Sequence, residues 1–274
     1  MTSHVDGHKG NISNSPFGSV CIIGGGFVGL TLAAFILKVS KSRVFVIENS
    51  EKKCLNLNQG IYGVYEPELD SLFDRAKNEN RLSFHLQIPH VFETVIICIG
   101  TPKPGLGQLF DSKILVEGLK DYVKSDSVVL LRSTVSVGTT NVVSDEFNRI
   151  MGENSPLVVF LPERTAEGKA INELENLPQI VGVPDQKYIH KVEGVLNQIG
   201  FKELLFTKVK EAEMAKLVCN AWRDFTFSFS NEISMIGESL QIDIFDVIRV
   251  SNYKYDRAQI PKPGPVGGPC LSKD

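Results

Sequence analysis

The chain has 274 residues, 42% hydrophobic and 22% charged, a balance that describes a soluble globular protein with apolar material for one large or two small domains. A net charge of −3 accumulates neither sign, which speaks against a nucleic-acid or acidic-membrane partner, and basic pairs such as Lys52 and Lys53 read as ordinary solvated surface. No apolar run approaches the roughly 18 residues of a membrane span, and the start lacks the apolar core of a secretion signal. The five scattered cysteines, Cys21, Cys54, Cys98, Cys219 and Cys270, show no metal-ligand or redox spacing, so a cytoplasmic chain with neither disulfides nor a metal is expected.

Residues 1–17 are rich in Gly, Ser, Asn and His without periodicity. They are expected as a disordered tail, because they cannot bury enough surface to offset their ordering entropy. From Ser19 a strand (VCII), a glycine turn, an amphipathic helix over about 27–39 and a second strand (VFVI) make a βαβ unit, which forces a parallel pair. Further strands are expected at 94–99 (TVIICI), 128–131 (VVLL), 157–161 (LVVFL) and 179–183 (QIVGV), with helices between most of them. Strands that are apolar throughout fit a parallel sheet covered on both faces. After Lys208 the run EAEMAKLVCNAWRDFTFSFSNEISMIGESL repeats apolar residues at helical spacing with no Gly or Pro before Gly237, so one long helix outside the sheet is expected. A second helix over 243–250 and the turn-rich PKPGPVGGPC follow. The fold class is α/β: a doubly wound, Rossmann-like parallel-sheet domain over 18–208, then a long-helix central domain over 209–274.

GGGFVG places Gly24, Gly26 and Gly29 directly between strand and helix. Gly24 permits a tight turn, Gly26 lets a pyrophosphate approach the backbone, Gly29 lets helix and strand pack closely, and the helix start at Phe27 and Val28 supplies amides. Glu48 ends the second strand, where a carboxylate accepts ribose hydroxyls and, left uncompensated, repels a 2′-phosphate; NAD is thereby favoured over NADP. The bland alternative is a structural glycine turn with a surface Glu. GTPKPG, with Thr101, and RSTVSVGTTN, with Thr134, follow buried strands at the edge where ligands collect in doubly wound sheets, although each alone reads as turn and cap chemistry. LPERTAEGKA sets Glu163, Arg164 and Glu167 past another strand, as a base and an anion holder or else as a solvated charged loop. On the long helix Glu213, Lys216, Asn220 and Arg223 share one face by spacings of three, four and three, a face that is solvated or lines a cleft. Cys270, in GGPCLSKD beside Lys273, is an activated nucleophile or an inert packed thiol.

In order, GGGFVG, CIGTPKP, STVSVGTT, PERTAEGKA, NELENLPQIVG, EAEMAKLVCNAWRDFTFSFSNE and GGPCLSKD resemble the UDP-glucose/GDP-mannose dehydrogenase family, from about Ser19 to the last residue. The resemblance implies an NAD-dependent, four-electron oxidation of the C6 alcohol of a UDP-sugar to a carboxylate. It implies Cys270 as the nucleophile, through a thiohemiacetal and a thioester, with Lys216 and Asn220 steadying the C6 oxygen as charge develops. Asp274 matches the acid that acts with the lysine and a water in proton transfer, Glu163 the base for thioester hydrolysis, and Thr134 and Glu167 residues near the nicotinamide. PERTAEG with Arg164, NAWRDF with Arg223 and PGPVGGPC resemble the UDP-N-acetylhexosamine branch. UDP-N-acetylmannosamine or UDP-N-acetylglucosamine is the expected substrate, with UDP-glucose as the alternative, and Arg164, Lys216, Asn220 and Arg223 as its expected contacts.

Two departures stand out. The chain stops four residues after Cys270, where the family continues into a UDP-binding domain, and the loop before it reads PGPVGG where the family often has one more glycine. An inactive NAD-binding fragment and a 3-hydroxyacid dehydrogenase, which has no use for Cys270, are the competing readings. Phe225, Phe227, Phe229 and Met235 exceed what one small sheet face covers, so a homodimer through the long helix is expected.

Overall fold

The computed structural model describes residues 18–100 and 111–265, so the expected tail over 1–17, Thr101, Cys270 and Asp274 lie outside the described residues. In chain order the strands are β1 (Ser19–Ile23), β2 (Arg43–Ile47), β3 (Leu82–His85), β4 (Thr94–Ile97), β5 (Val128–Leu131), β6 (Leu157–Phe160), β7 (Gln179–Val183) and β8 (Leu204–Lys208). The α-helices are α1 (Phe27–Val39), α2 (Glu51–Asn58), α3 (Leu69–Asn78), α4 (Ser112–Leu119), α5 (Thr139–Met151), α6 (Ala170–Asn176), α7 (Ile189–Gln198), α8 (Val209–Leu240) and α9 (Ile244–Asn252).

The strands form one sheet in the order β3-β2-β1-β4-β5-β6-β7-β8. From β1 the chain steps outward to β2 and β3, then returns to lay β4 on the other side of β1. The strand order therefore reverses between β1 and β4, and a crevice opens beyond their carboxyl ends, the place where doubly wound sheets bind ligands. Both sheet faces are covered, and side chains divide between them with a period of two. Val20, Ile22, Ile96, Val128 and Leu130 join a core that includes Leu30, Phe35, Phe73 and Leu196 from α1, α3 and α7. Cys21, Val95, Ile97, Val129 and Leu131 join a second core with Val116, Val143 and Phe147 from α4 and α5.

Three features depart from the sequence reading. β7 runs antiparallel to β6, joined by the single register pair Phe160 with Gly182, while every other neighbouring pair is parallel. An apolar run reports burial on both faces but carries no mark of direction. β3 and β8 are extra strands at the two margins of the sheet; each is short and half-exposed, which leaves little hydrophobic pattern to read. Finally, α8 is not wholly outside the sheet, because its first turns pack on β6, β7 and β8. A Cβ on Gly182 would lie 2.8 Å from the Cβ of Ala212 and 3.0 Å from the Cα of Val209, so the absence of a side chain in β7 is what admits the helix. Among the described residues no helix is long and apolar enough to cross a membrane.

Candidate functional site

The turn between β1 and α1 is built by glycine for separate local reasons. Gly24 has φ +112°, and a Cβ there would sit 2.5 Å from the carbonyl oxygen of Cys98; the left-handed backbone and the neighbouring strand both demand glycine. At Gly29 a Cβ would fall 1.9 Å from the carbonyl oxygen of Gly24, so α1 settles on the turn only without one. Gly26 is the opposite case, with nothing within 4 Å of a Cβ. It is the N-cap of α1, and no side chain bonds there, which leaves the first amides, through Phe27 and Val28, without a side-chain cap.

A cleft of about 270 Å³ opens at this turn, lined among others by Gly25, Gly26, Phe27, Lys53, Tyr62 and Glu167. Glu48, just past β2, is bonded to one of these lining residues: one carboxylate oxygen accepts the Ser50 amide at 3.0 Å, and the other lies 3.1 Å from the Lys53 ammonium. The expectation that Lys53 is plain solvated surface and Glu48 uncompensated is thus overturned. Ser50 caps α2, and the first turn of that helix swings Lys53 back over the end of β2. A larger, shallower depression of about 710 Å³ lies at the far end of α1 between Lys38, Glu175 and Lys202, and it holds none of the expected site residues.

At the carboxyl edge of β5 and β6 the chain buries an ion pair. Arg132, with a fully buried side chain, donates from Nε (3.1 Å) and Nη2 (2.8 Å) to one oxygen of Glu163 and from Nη1 to the carbonyl of Leu161 (3.3 Å). The other Glu163 oxygen accepts the amides of Arg164 (2.7 Å) and Thr165 (2.8 Å). Burial works to raise the Glu163 carboxyl, but the Arg132 charge and the Thr165 amide outweigh it and hold it below the usual carboxylate range. Arg164 turns its guanidinium onto the carbonyl of Pro178. Thr134 is half-buried in the loop after β5, and Glu167 is exposed at the cleft. Glu66 fastens the loop that carries Glu167: its two oxygens accept the amides of Gly168 (2.9 Å) and Ile171 (3.1 Å), across the start of α6.

The polar stripe on α8 resolves by position. Glu213 is fully buried and Asn220 buried, Lys216 is half-buried, and Arg223 is exposed. Lys216 Nζ donates to Asn220 Oδ1 at 3.4 Å. Glu213 accepts from the amides of Gly138 (2.6 Å) and Thr140 (2.8 Å) and from the Thr140 hydroxyl (2.7 Å), which ties α8 to the start of α5. Sequence reasoning missed Lys53, Glu66, Arg132 and the partners of Glu213. Only Arg132 carried a local signal, as a charge at the end of an apolar strand.

Two family models match this chain: the NAD binding domain of the UDP-glucose/GDP-mannose dehydrogenase family over residues 18–200 and the central domain of the same family over residues 210–274. The chain belongs to the UDP-glucose/GDP-mannose dehydrogenase family. Its cofactor is NAD, as the family's first domain defines. A UDP-N-acetyl-D-mannosamine dehydrogenase from Methanocaldococcus jannaschii is 28% identical, over 93% of this chain and 60% of its own length. An NDP-N-acetyl-D-galactosaminuronic acid dehydrogenase from Ralstonia nicotianae is also 28% identical, over 94% of this chain and 63% of its own length. The chain thus spans about three-fifths of the curated relatives it matches. The solved structure of the UDP-D-ManNAc dehydrogenase from Pyrococcus horikoshii has the same fold, with a TM-score of 0.85 at 23% identity over 92% of this chain and 62% of that one.

Within this family member the central-domain match includes Cys270 and Asp274. The run leading to them is stitched to the helices: Asn231 on α8 exchanges two bonds with the backbone of Gly264 (2.8 and 3.0 Å), and Asn252 at the end of α9 does the same with Ile260 (2.8 and 3.0 Å).

Proposed function

We propose that this chain carries the NAD-binding and catalytic parts of a nucleotide-sugar 6-dehydrogenase acting on a UDP-N-acetylhexosamine, UDP-N-acetylmannosamine or UDP-N-acetylglucosamine. The observation that carries the reading is the convergence at one edge of the sheet: the loop after Glu163 brings Glu167 to the glycine cleft, Arg132 after β5 bonds Glu163, and Glu213 ties the loop after Thr134 to the helix bearing the Lys216–Asn220 pair. That arrangement gives a hydride acceptor site and an oxyanion site a common frame. The names of the relatives favour an N-acetylated sugar, since UDP-N-acetyl-D-mannosamine dehydrogenases recur among them.

NAD supplies the hydride acceptor for both oxidations when bound. Glu48 would hold the adenosine ribose, the amides at Gly26, Phe27 and Val28 the pyrophosphate, and Thr101, Thr134 and Glu167 the nicotinamide end. Loss of a hydride and a proton turns the C6 alcohol into an aldehyde while Lys216 and Asn220 stabilise charge on the C6 oxygen. The Cys270 thiolate adds to the aldehyde, whose oxygen takes up a proton to give a thiohemiacetal, and loss of a second hydride together with that proton gives a thioester. Water then adds, the thiolate departs and the carboxylate is released. Glu163, held ionised by Arg132, orients that water by accepting its hydrogen bond, and Asp274 relays protons with Lys216. Arg164, whose guanidinium rests on Pro178, and Arg223 are assigned to substrate through the loop and helix that bear them. Two copies associate through the apolar surface of α8, where Phe225, Phe229 and Met235 are exposed.

The test joins the chain to the remaining C-terminal part of the Methanocaldococcus jannaschii relative and supplies NAD and UDP-N-acetylmannosamine. Two NADH should form per sugar acid, and Cys270→Ser should stall after the first oxidation or be nearly inactive. Normal sugar-acid formation by Cys270→Ser overturns the mechanism. Turnover of UDP-glucose in preference to both N-acetylated sugars overturns the substrate assignment.

A further inference from the structure

Glu213 takes no part in the chemistry above, yet its side chain is fully buried and accepts three hydrogen bonds at 2.6, 2.7 and 2.8 Å. A buried carboxylate is costly unless donors fill its lone pairs, and all three donors come from one place, the start of α5. The N-cap there is Gly138, with φ +98° and no side chain to bond the first amides. Helix α5 therefore takes its cap from another helix, 73 to 75 residues further along the chain.

A second clamp holds the same turn of α8 from below. Gly182 in β7 leaves room for Ala212, the neighbour of Glu213, and any Cβ there would collide with it. Height and roll of the helix are thus fixed by two contacts on adjacent residues. From Glu213, Lys216 stands one turn on and Asn220 two turns on, along the same face, about 5 and 10 Å up the axis at 1.5 Å per residue. The loop that Glu213 grips at Gly138 is the one that carries Thr134.

We propose that Glu213 is a positioning residue for the reaction: its carboxylate bridges α8 to the loop before α5 and so keeps the Lys216–Asn220 pair in register with the cofactor loop at Thr134. This rests on the dehydrogenase reading given above. Such a role predicts a loss in the chemical step rather than in cofactor binding, since the adenosine end at Glu48 belongs to other elements.

Three measurements on Glu213→Gln and Gly182→Ala test it. Gln keeps one acceptor oxygen for Thr140 but sets an amide against the Gly138 N–H, and Gly182→Ala lifts the helix from the sheet side without touching the carboxylate. Each variant should lower kcat by roughly 10- to 100-fold, as small displacements of catalytic groups do, with KM for NAD within about twofold of the parent. Competitive acetylation read by mass spectrometry should show a changed Lys216 rate and an unchanged Lys77 rate. Amide exchange at Gly138 and Thr140 should quicken in Glu213→Gln. Parental kcat and parental Lys216 acetylation in both variants, with quickened exchange at Gly138 and Thr140, would make Glu213 a fold-stabilising contact only and overturn the proposal. Should the parent form no NADH from a nucleotide sugar, the dehydrogenase reading fails, and the Lys216 acetylation rate alone decides whether Glu213 sets that lysine's surroundings.

Discussion

Arg132, fully buried, and Glu163, whose side chain keeps 10% of its surface exposed, bind each other, two guanidinium nitrogens meeting one carboxylate oxygen at 2.8 and 3.1 Å. The pair spans the ends of β5 and β6 and shapes the loop from which Arg164 and Glu167 project. Removing one partner strands the other charge in a buried place, so Arg132→Met should cost about 3–5 kcal/mol. Arg132→Met with Glu163→Leu removes both charges and should recover most of that loss. Urea titration of the three proteins checks the order, and a double variant no more stable than the single one would refute it.

The same pair sets a pH dependence. The folded-state value of Glu163 lies below that of an unfolded glutamate, so its contribution to stability is complete above the unfolded value of about 4.3 and drains away as pH falls through the depressed folded value. Melting temperature should drop on acidification below about pH 4, and the double apolar variant should show a shallower drop than the parent. Parallel curves for the two would exclude Glu163 as a source.

Lys53 offsets the charge of Glu48 at 3.1 Å, so with the adenosine ribose at Glu48, as proposed, repulsion of a 2′-phosphate is weaker than a bare carboxylate would give. Lys53 is partly exposed, and its loss removes one charge-assisted contact of roughly 1 kcal/mol. Lys53→Ala should therefore raise the preference for NAD over NADP by about fivefold. Calorimetric titration of both dinucleotides reads this directly; an unchanged ratio would show that Lys53 has no say in it.

The apolar surface of α8 gives a prediction about assembly. Trp222 and Phe225, each 64% exposed, stack with ring centroids 6.1 Å apart, and exposed apolar clusters of this kind mark contact surfaces. Charging the patch with Trp222→Glu and Phe225→Glu should convert a dimer to a monomer in light scattering. A parent that is already monomeric at high concentration would sink the dimer.

What the sequence made legible follows the physics of each signal. The span of α1, expected over about 27–39 and found at Phe27–Val39, was readable because a glycine turn fixes its start and apolar periodicity continues without a break. The glycine turn was readable because its backbone conformations tolerate little else. The direction of β7 was not, since hydrogen-bond polarity leaves no trace in an apolar run. Lys53 and Glu66 were missed because each acts on a partner in another segment: Glu66 reaches residues 102 and 105 positions away, and nothing local to a lone charged residue records that. Glu213 was seen as one of a stripe, but its burial depends on Gly138 and Thr140, which only the folded chain brings near.

The junction of β6 and β7 has a consequence for how the molecule comes apart. One register pair joins these strands, whereas the adjoining pairs β5–β6 and β7–β8 have four and five. The sheet is therefore two blocks meeting at a seam, and the start of α8, packed on β6, β7 and β8, is the strap across it. Cooperative opening should follow that line, with β7, β8 and the strap exchanging their amides as one foldon while the six strands from β3 to β6 stay closed. A chain that binds its dinucleotide on the closed block would keep its grip on the cofactor through such openings, and would part first from whatever sits under the strap.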